Sequence, residues 1–447
     1  MEDITAGPSA GQRRMWIVIG SIVVAIAVVV AVAVVSFQIG RGSNSRRFVP
    51  GVMTYGGSGS DSFRAVAIAP DGHYIVAGYT DSESGSIVGG RGGVDALVAQ
   101  ISPDGTLLGY QTFGGSGEDR FTGVAIGADG GIVAVGFTDS TDGDFPVTRG
   151  VDGDRDAVIV KLAADGSLLW VRAFGGSDYD YFDSVAVAAD GSIVAVGRSF
   201  SPDGDFPGTG EEHGVVVKLS GGGDLLWAKS YGGSEMDFLA SVAIAANGSI
   251  AVAGASRSPD LYLQTPQSTG DAFVALLSSS GEIVWAQKHG GEYSYFASVL
   301  FSGKNVIAAG AVGSLEAEYD ASLVKLSSKG EILWVRTYGG SDAEAFKSVA
   351  LCKDGGLVAA GFTVSDDGQL PASAGDLDGV VVKVSSDGTL AWAQSFGDLG
   401  RDEFFSVAVT ASGGIVAVGT TLERVGVEQG ASTNAVLARY SAKGSLD

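Results

Sequence analysis

The chain is poor in the residues that most readily build catalytic and metal centres. A single cysteine, Cys352, among 447 residues permits no internal disulfide and no cysteine-based zinc site. Three histidines, His73, His213 and His289, leave little material for a His-rich metal centre. Proline is scarce, at 10, and the 70 glycines follow no three-residue period, which excludes a collagen-like chain. Basic residues are also few: 28 lysines and arginines stand against 51 acidic residues, a net charge of −23. Such a surface repels nucleic acid and anionic lipid, so a partner is expected to be cationic, neutral or bridged by a metal. Hydrophobic residues, by contrast, make up 45% of the chain, enough to fill a large core and too many for a disordered one.

The first fifty residues are a separate object. Residues Met15–Phe37 form an apolar run without a charged side chain. At about 1.5 Å per residue, a helix of this length crosses roughly 30 Å of hydrocarbon. The run exceeds the about 7–15 apolar residues of a cleavable signal peptide, and the small-residue triplet Ala31-Val32-Ala33 lies inside it. The expected organisation is a cytoplasmic tail over residues 1–14, a transmembrane helix over 15–38 and a linker over 39–47. Arg13 and Arg14 before the span nearly balance Arg41, Arg46 and Arg47 after it. Large domains translocate largely regardless of such counts, so residues 48–447 are expected outside the cytoplasm of a single-pass cell-membrane protein.

The remainder is one unit in seven copies. An aromatic or histidine followed by Gly-Gly recurs at Tyr55, Phe113, Phe174, Tyr231, His289 and Tyr338, with a degenerate copy at Phe396-Gly397-Asp398. The spacing is about 57 residues apart from one shorter interval between His289 and Tyr338, a period that takes precedence over any other fold reading. Within each copy, short Val-, Ala- and Ile-rich segments are separated by turns such as Asp190-Gly191 and Asn247-Gly248. Asx-Gly between apolar runs is a strong hairpin signal, because such turns need positive φ. Each copy therefore reads as four antiparallel strands, A to D. The strands are apolar on both faces, as in Ser184-Val185-Ala186-Val187-Ala188. A sandwich would leave one face polar, whereas sheets stacked around an axis bury both.

The chain ends fit ring closure. The last copy supplies strands A to C and stops after Lys443-Gly444-Ser445-Leu446, while Phe48–Tyr55 precedes the first Gly-Gly where a strand D belongs. The expected fold is all-β: a seven-bladed β-propeller of four-stranded antiparallel blades, closed by the N-terminal strand and preceded by one transmembrane helix. On stretches such as Phe113–Pro146, FGGSGEDRFTGVAIGADGGIVAVGFTDSTDGDFP, the chain resembles the bacterial seven-bladed β-propeller repeat family, SBBP. That resemblance covers essentially Phe48 to Asp447 and implies the architecture and an envelope or secreted setting. It implies no catalytic residue.

Repeated residues divide into packing and candidate sites. Trp170, Trp227, Trp285, Trp334 and Trp392 share one strand D position and are expected to fill the outer gaps between diverging blades. Phe63, Phe121, Phe182, Phe296, Phe346 and Phe404, with Leu239, start strand A as inter-blade core. Asp95, Asp156, Asp271, Asp320 and Asp378 begin strand C, where an Asp accepts N–H bonds from its own turn.

Two acidic features are candidate binding sites. Asp61, Asp119, Asp180, Asp237, Glu344 and Asp402 lie two residues before the strand A aromatic, and Ser294 replaces them in the fifth copy. Strand A is innermost, so these side chains are expected around the mouth of the central channel, either capping Gly-Gly turns or sharing a cation or ligand. In the B–C loops, Asp142 and Asp144, then Asp152, Asp154 and Asp156, alternate as in a calcium loop. Ala157 stands where an EF-hand-like loop needs glycine, and no distal glutamate follows, so Ca²⁺ is a weak metal reading.

Enzyme signatures are mostly missing. Ser385-Ser386-Asp387-Gly388 fails the sialidase Asp-box, and the three histidines form no nucleophile–base set. The A–B and C–D turns are tight, while the long, variable, acidic loops all fall on the opposite face, where binding sites usually sit. The expected function is a membrane-anchored binding module whose acidic distal face takes a protein or glycan. A glycan-active enzyme using the channel-mouth carboxylates and an envelope assembly scaffold are the alternatives.

Overall fold

Short β-branched runs alternating with Gly-containing turns leave the chain one economical solution, a succession of hairpins. A computed structural model describes residues 51–90, 92–145, 154–206, 208, 211–259, 272–314, 317–422 and 432–447. The tail, transmembrane span and linker expected over residues 1–47 lie outside these residues. Among the described residues, no helix is long and apolar enough to cross a membrane.

The first strand, β1 (Val52–Tyr55), is followed by the first complete blade: β2 (Asp61–Ile68), β3 (Tyr74–Thr80), β4 (Asp95–Ile101) and β5 (Leu107–Phe113). Five further blades of the same plan run from β6 (Asp119–Ile126) to β25 (Leu390–Phe396). The seventh holds β26 (Asp402–Val409), β27 (Ile415–Leu422) and β28 (Thr433–Tyr440). Its fourth strand is β1, antiparallel to β28 with Val52 opposite Ala438 and Tyr55 opposite Ala435. The seven four-stranded sheets thus form the closed propeller that the repeats predict, and the β28 edge is covered rather than left to pair with another chain.

The core is divided among the blade interfaces. Seven buried apolar clusters each draw from two neighbouring blades, and the one joining the seventh to the first includes Tyr55, Phe63, Val416 and Leu437. The strand A aromatics fill these wedges: Phe63, Phe121, Phe182, Phe296, Phe346 and Phe404 are fully buried. Each such ring contributes about 1.5–3 kcal/mol by leaving water. The tryptophans close the outer ends, as expected. Trp227, Trp285 and Trp392 donate Nε1–H to carbonyls of the turn that follows the next blade's strand C, at Ser279, Ser328 and Ala442. Gly444 (φ +88°) lies against Trp392, and a methyl group there would approach the indole to 2.7 Å.

Every strand A carries a β-bulge directly after its aromatic, or after Leu239 in the fourth blade, and that bulge positions the site described next. The register slips between Phe63 and Ala65, Phe121 and Gly123, Phe182 and Ser184, and at the matching place in the other four blades. A bulge re-aims the extra residue and disrupts the ladder locally. Strand A serines bond the neighbouring blade beside it: Ser184 Oγ accepts from Val242 N at 3.4 Å, Ser241 from Val299, Ser298 from Val349, Ser348 from Val407 and Ser406 from Val66.

Candidate functional site: the mouth of the central channel

The acids that open strand A are enclosed in their own blades. Asp61 accepts from Gly57 N–H at 2.8 Å, from the Thr80 hydroxyl at 2.5 Å and from Ser82 at 2.8 Å. Asp119 takes the same three partners one blade on, Gly115, Thr138 and Ser140. Asp180 accepts from Gly176 and Ser201, and Asp237 from Gly233 and Ser258. The longer Glu344 reaches Gly340 N–H and Thr363, while Asp402 accepts from Asp398 N–H. In the fifth blade Ser294 Oγ accepts from both Gly291 N–H and Gly313 N–H, so a hydroxyl does the work of the carboxylate. These side chains are clamps between the Gly-Gly turn, strand A and the end of strand B. All six are essentially inaccessible.

A second acid presses on the same turn. A methyl group added to Gly175 would lie 2.0 Å from Asp156 Oδ1 and 2.8 Å from Asp180 Oδ2, and Gly339 sits equally tightly between Asp320 and Glu344. At four turns, those of Gly114, Gly175, Gly339 and Gly397, the strand C acid of one blade and the strand A acid of the next therefore meet at the first glycine, which explains why that residue carries no side chain. Burial raises the carboxyl groups of Asp61, Asp119 and Asp180 above the usual range. Asp402 reaches about 6, through burial first and then the charges of Asp398 and Asp378.

The B–C loop acids cap turns as well. Asp142 Oδ1 accepts from Ser116 N–H at 2.7 Å, and Asp144 Oδ2 from Gly114 N–H at 3.3 Å. Asp156 begins a strand beside Gly175, Asp154 lies just before it, and Asp152 and Asp271 fall outside the described residues. Among the described residues, no three His, Cys, Asp or Glu side chains come together as a metal site. The histidines also stay apart. His213 is tied through Nδ1 to Glu211 O and through Nε2 to Phe206 O, His73 pairs with Asp71, and burial lowers the His289 pKa.

The side chains that do face the channel are the ones between the repeated positions. A cavity of about 530 Å³ opens at the loop-bearing end, and six of the seven bulge residues line it: Arg64, Thr122, Asp183, Ala240, Lys347 and Phe405. Arg120, Arg155 and Arg198 add three more cations, and Tyr79, Phe137 and Tyr181 supply aromatic walls. Cations and rings alternate around the axis. Arg64 lies over Phe405, Arg120 over Tyr79, Arg155 over Phe137, Arg198 over Phe238 and Lys347 over Phe362, at 4.0–5.4 Å from the ring centroids. Such contacts are worth about 0.5–2 kcal/mol each.

Ion pairs hold most of these cations. Glu118 takes both Arg120 and Arg155, Arg198 bonds Asp183 at 3.2 Å and Glu212 at 3.4 Å, and Lys347 lies 3.6 Å from Glu403. The charge of Asp183 holds Arg198 above its ordinary pKa, whereas burial pushes Glu212 up against the opposing pull of Arg198. A funnel rich in arginine at the centre of a chain with net charge −23 is the feature that the repeat pattern concealed. Its signal in the sequence is the residue after each strand A aromatic, which varies where its neighbours repeat.

These features define a seven-bladed β-propeller with a cationic, aromatic-walled channel mouth. No family model matches the chain. It is 26% identical over 209 residues to the regulatory protein FlaEY of Caulobacter vibrioides, a match that takes in 42% of this chain and 21% of that protein. The chain thus spans about a fifth of that relative's length. Among solved structures it is similar to the Pan2 WD40 domain of Neurospora crassa, at 10% identity and a TM-score of 0.47, covering 85% of this chain and 89% of that one. Sqt1 from Chaetomium thermophilum gives 12% and 0.46, covering 89% and 100%. The C-terminal WD40 domain of Sif2 gives 12% and 0.43, covering 88% and 99%.

Proposed function

We propose that the chain is an interaction module of the SBBP repeat type, anchored by residues 15–38 in the cell membrane and presenting its propeller outside the cytoplasm to a protein or glycan. One observation carries the reading: the funnel and the long B–C loops open on the same face, and the chain enters the propeller on the other. Gly51, just before β1, accepts from Arg439 N–H at 2.7 Å beside the turn that follows β28. That contact sits at the tight-turn end of the seventh blade, so an anchor there leaves the loop face pointing away from the membrane. A rigid scaffold bearing variable loops is where binding surfaces usually sit. The repeated carboxylates lend no support to glycan hydrolysis, since they are buried and committed to turns.

Photo-crosslinking residues placed in the full-length protein test the reading in intact cells. Positions 142 and 203 on the loop face are expected to capture a discrete partner, and positions 165 and 224 on the tight-turn face are not. Equal capture from both faces, or from neither, contradicts it.

A further inference from the structure

We propose that the channel mouth is a carboxylate-reading pocket whose ligand is a peptide segment carrying one acidic side chain between basic residues. The inference rests on the loop-face reading above and names what that face recognises.

The charge census inside the funnel supplies the first reason. Arg155, Arg198 and Lys347 each have a carboxylate partner. Arg64 has none among the described residues; its contacts are the Tyr79 hydroxyl at 3.4 Å and the rings of Tyr79 and Phe405. Arg120 has Glu118 on one nitrogen, but its Nε–H is buried without a hydrogen-bond partner. Both guanidiniums contact the same ring, Tyr79, at 5.4 and 4.2 Å from its centroid. A guanidinium stacked on an aromatic face keeps its edge donors free, and their fork matches a carboxylate. A buried donor without an acceptor carries a desolvation cost, which a bound acceptor relieves.

The second reason is the surround. The rim carries exposed Asp81, Glu83, Asp142, Asp203, Asp366 and Asp367. A polyanion meets repulsion there before it reaches the funnel. A single carboxylate flanked by cations meets attraction at both places. The cavity, about 530 Å³, lies within the roughly 300–1,000 Å³ of ordinary ligand pockets, enough for a short peptide segment with its side chains.

Calorimetric titration of the full-length protein in detergent tests this with three blocked pentapeptides: Lys-Gly-Glu-Gly-Lys, the same peptide with Gln at its centre, and Glu-Gly-Glu-Gly-Glu. Lys-Gly-Glu-Gly-Lys is expected to bind at least tenfold more tightly than either of the others. That preference is expected to vanish in R64Q and to weaken in R64K, which keeps the charge but loses the fork. It is expected to survive in R172Q, a change on the outer strand. Matching melting curves establish that the variants fold. Wild-type protein that does not distinguish Glu from Gln, R64Q that still does, or no binding of Lys-Gly-Glu-Gly-Lys at millimolar concentration overturns the inference. Loop-face crosslinks that persist alongside any of those results leave the interaction reading standing, whereas their absence in the wild type overturns the reading beneath it.

Discussion

The guanidinium of Arg64 lies 4.0 Å from the centroid of the Phe405 ring, joining the first blade to the last. Both are bulge residues, each directly after the buried aromatic that begins its strand A. The same device that bends the innermost strand therefore aims side chains into the channel, and ring closure brings this pair together. Local backbone geometry, closure and the character of the site are linked through one position in the repeat.

Closure should be measurable at Tyr55. Its ring packs 5.4 Å from Phe63 and its hydroxyl donates to Gly105 O at 2.7 Å. Tyr55→Ala is expected to cost about 3–5 kcal/mol in urea unfolding, the range for a buried aromatic. Ser406→Ala, which removes only the acceptor for Val66 N–H, is expected to cost about 1–3 kcal/mol. A Tyr55→Ala loss below that of Ser406→Ala would deny the N-terminal strand its role as the closing element.

The carboxylate clamps should behave as structural parts. Asp119→Ala strands the Gly115 N–H and two hydroxyls, those of Thr138 and Ser140. A loss of about 2–4 kcal/mol is expected, with Asp119→Asn recovering part of it through its remaining acceptor. Denaturant midpoints decide the matter, and a neutral Asp119→Ala would contradict the assignment.

Acid should stabilise the seventh blade rather than weaken it. Asp402 titrates near 6 in the folded chain against an ordinary 3.8. Its contribution is fully present below about pH 4, where the group is protonated whether folded or unfolded. As pH rises from 4 to 6 the unfolded chain gives up this proton first, so stability falls through that window and then levels. Asp402→Asn is expected to flatten that part of the stability–pH curve, and an unchanged slope would contradict the raised value.

The glycine in the turn that follows β28 has no room to spare. Gly444→Ala combines positive φ with an approach of 2.7 Å to Trp392 and is expected to cost about 1–3 kcal/mol. Thermal melting of the variant reads it directly, and an unaltered midpoint would mean that the indole moves aside.

The architecture was legible because it is written seven times. The Gly-Gly period, the Asx-Gly turns and the missing last strand are local signals that agree with one another, and β1 pairs with β28 as they require. The candidate site was legible only in part. Asp61 and its counterparts were found because they repeat, and they repeat because every blade needs the same clamp. Arg64, Thr122, Asp183 and Phe405 occupy one structural position yet share no chemistry, so no pattern ties them together. The bulge also breaks strand alternation at that residue, which hides the face it points to. Arg120 and Arg155 meet through Glu118 within the second blade, where strand C starts at the same end as strand A, a contact that no spacing reports.

The most direct measurement is arginine modification of the full-length protein by phenylglyoxal, followed by mass spectrometry, with and without the Lys-Gly-Glu-Gly-Lys peptide. Arg64 is expected to react in the free protein and to be protected when the peptide is bound, while Arg172 and Arg336 on the outer strands react equally in both. Arg64 labelling that is unchanged by the peptide, or protection spread evenly over all three, would contradict a ligand seated in the channel mouth.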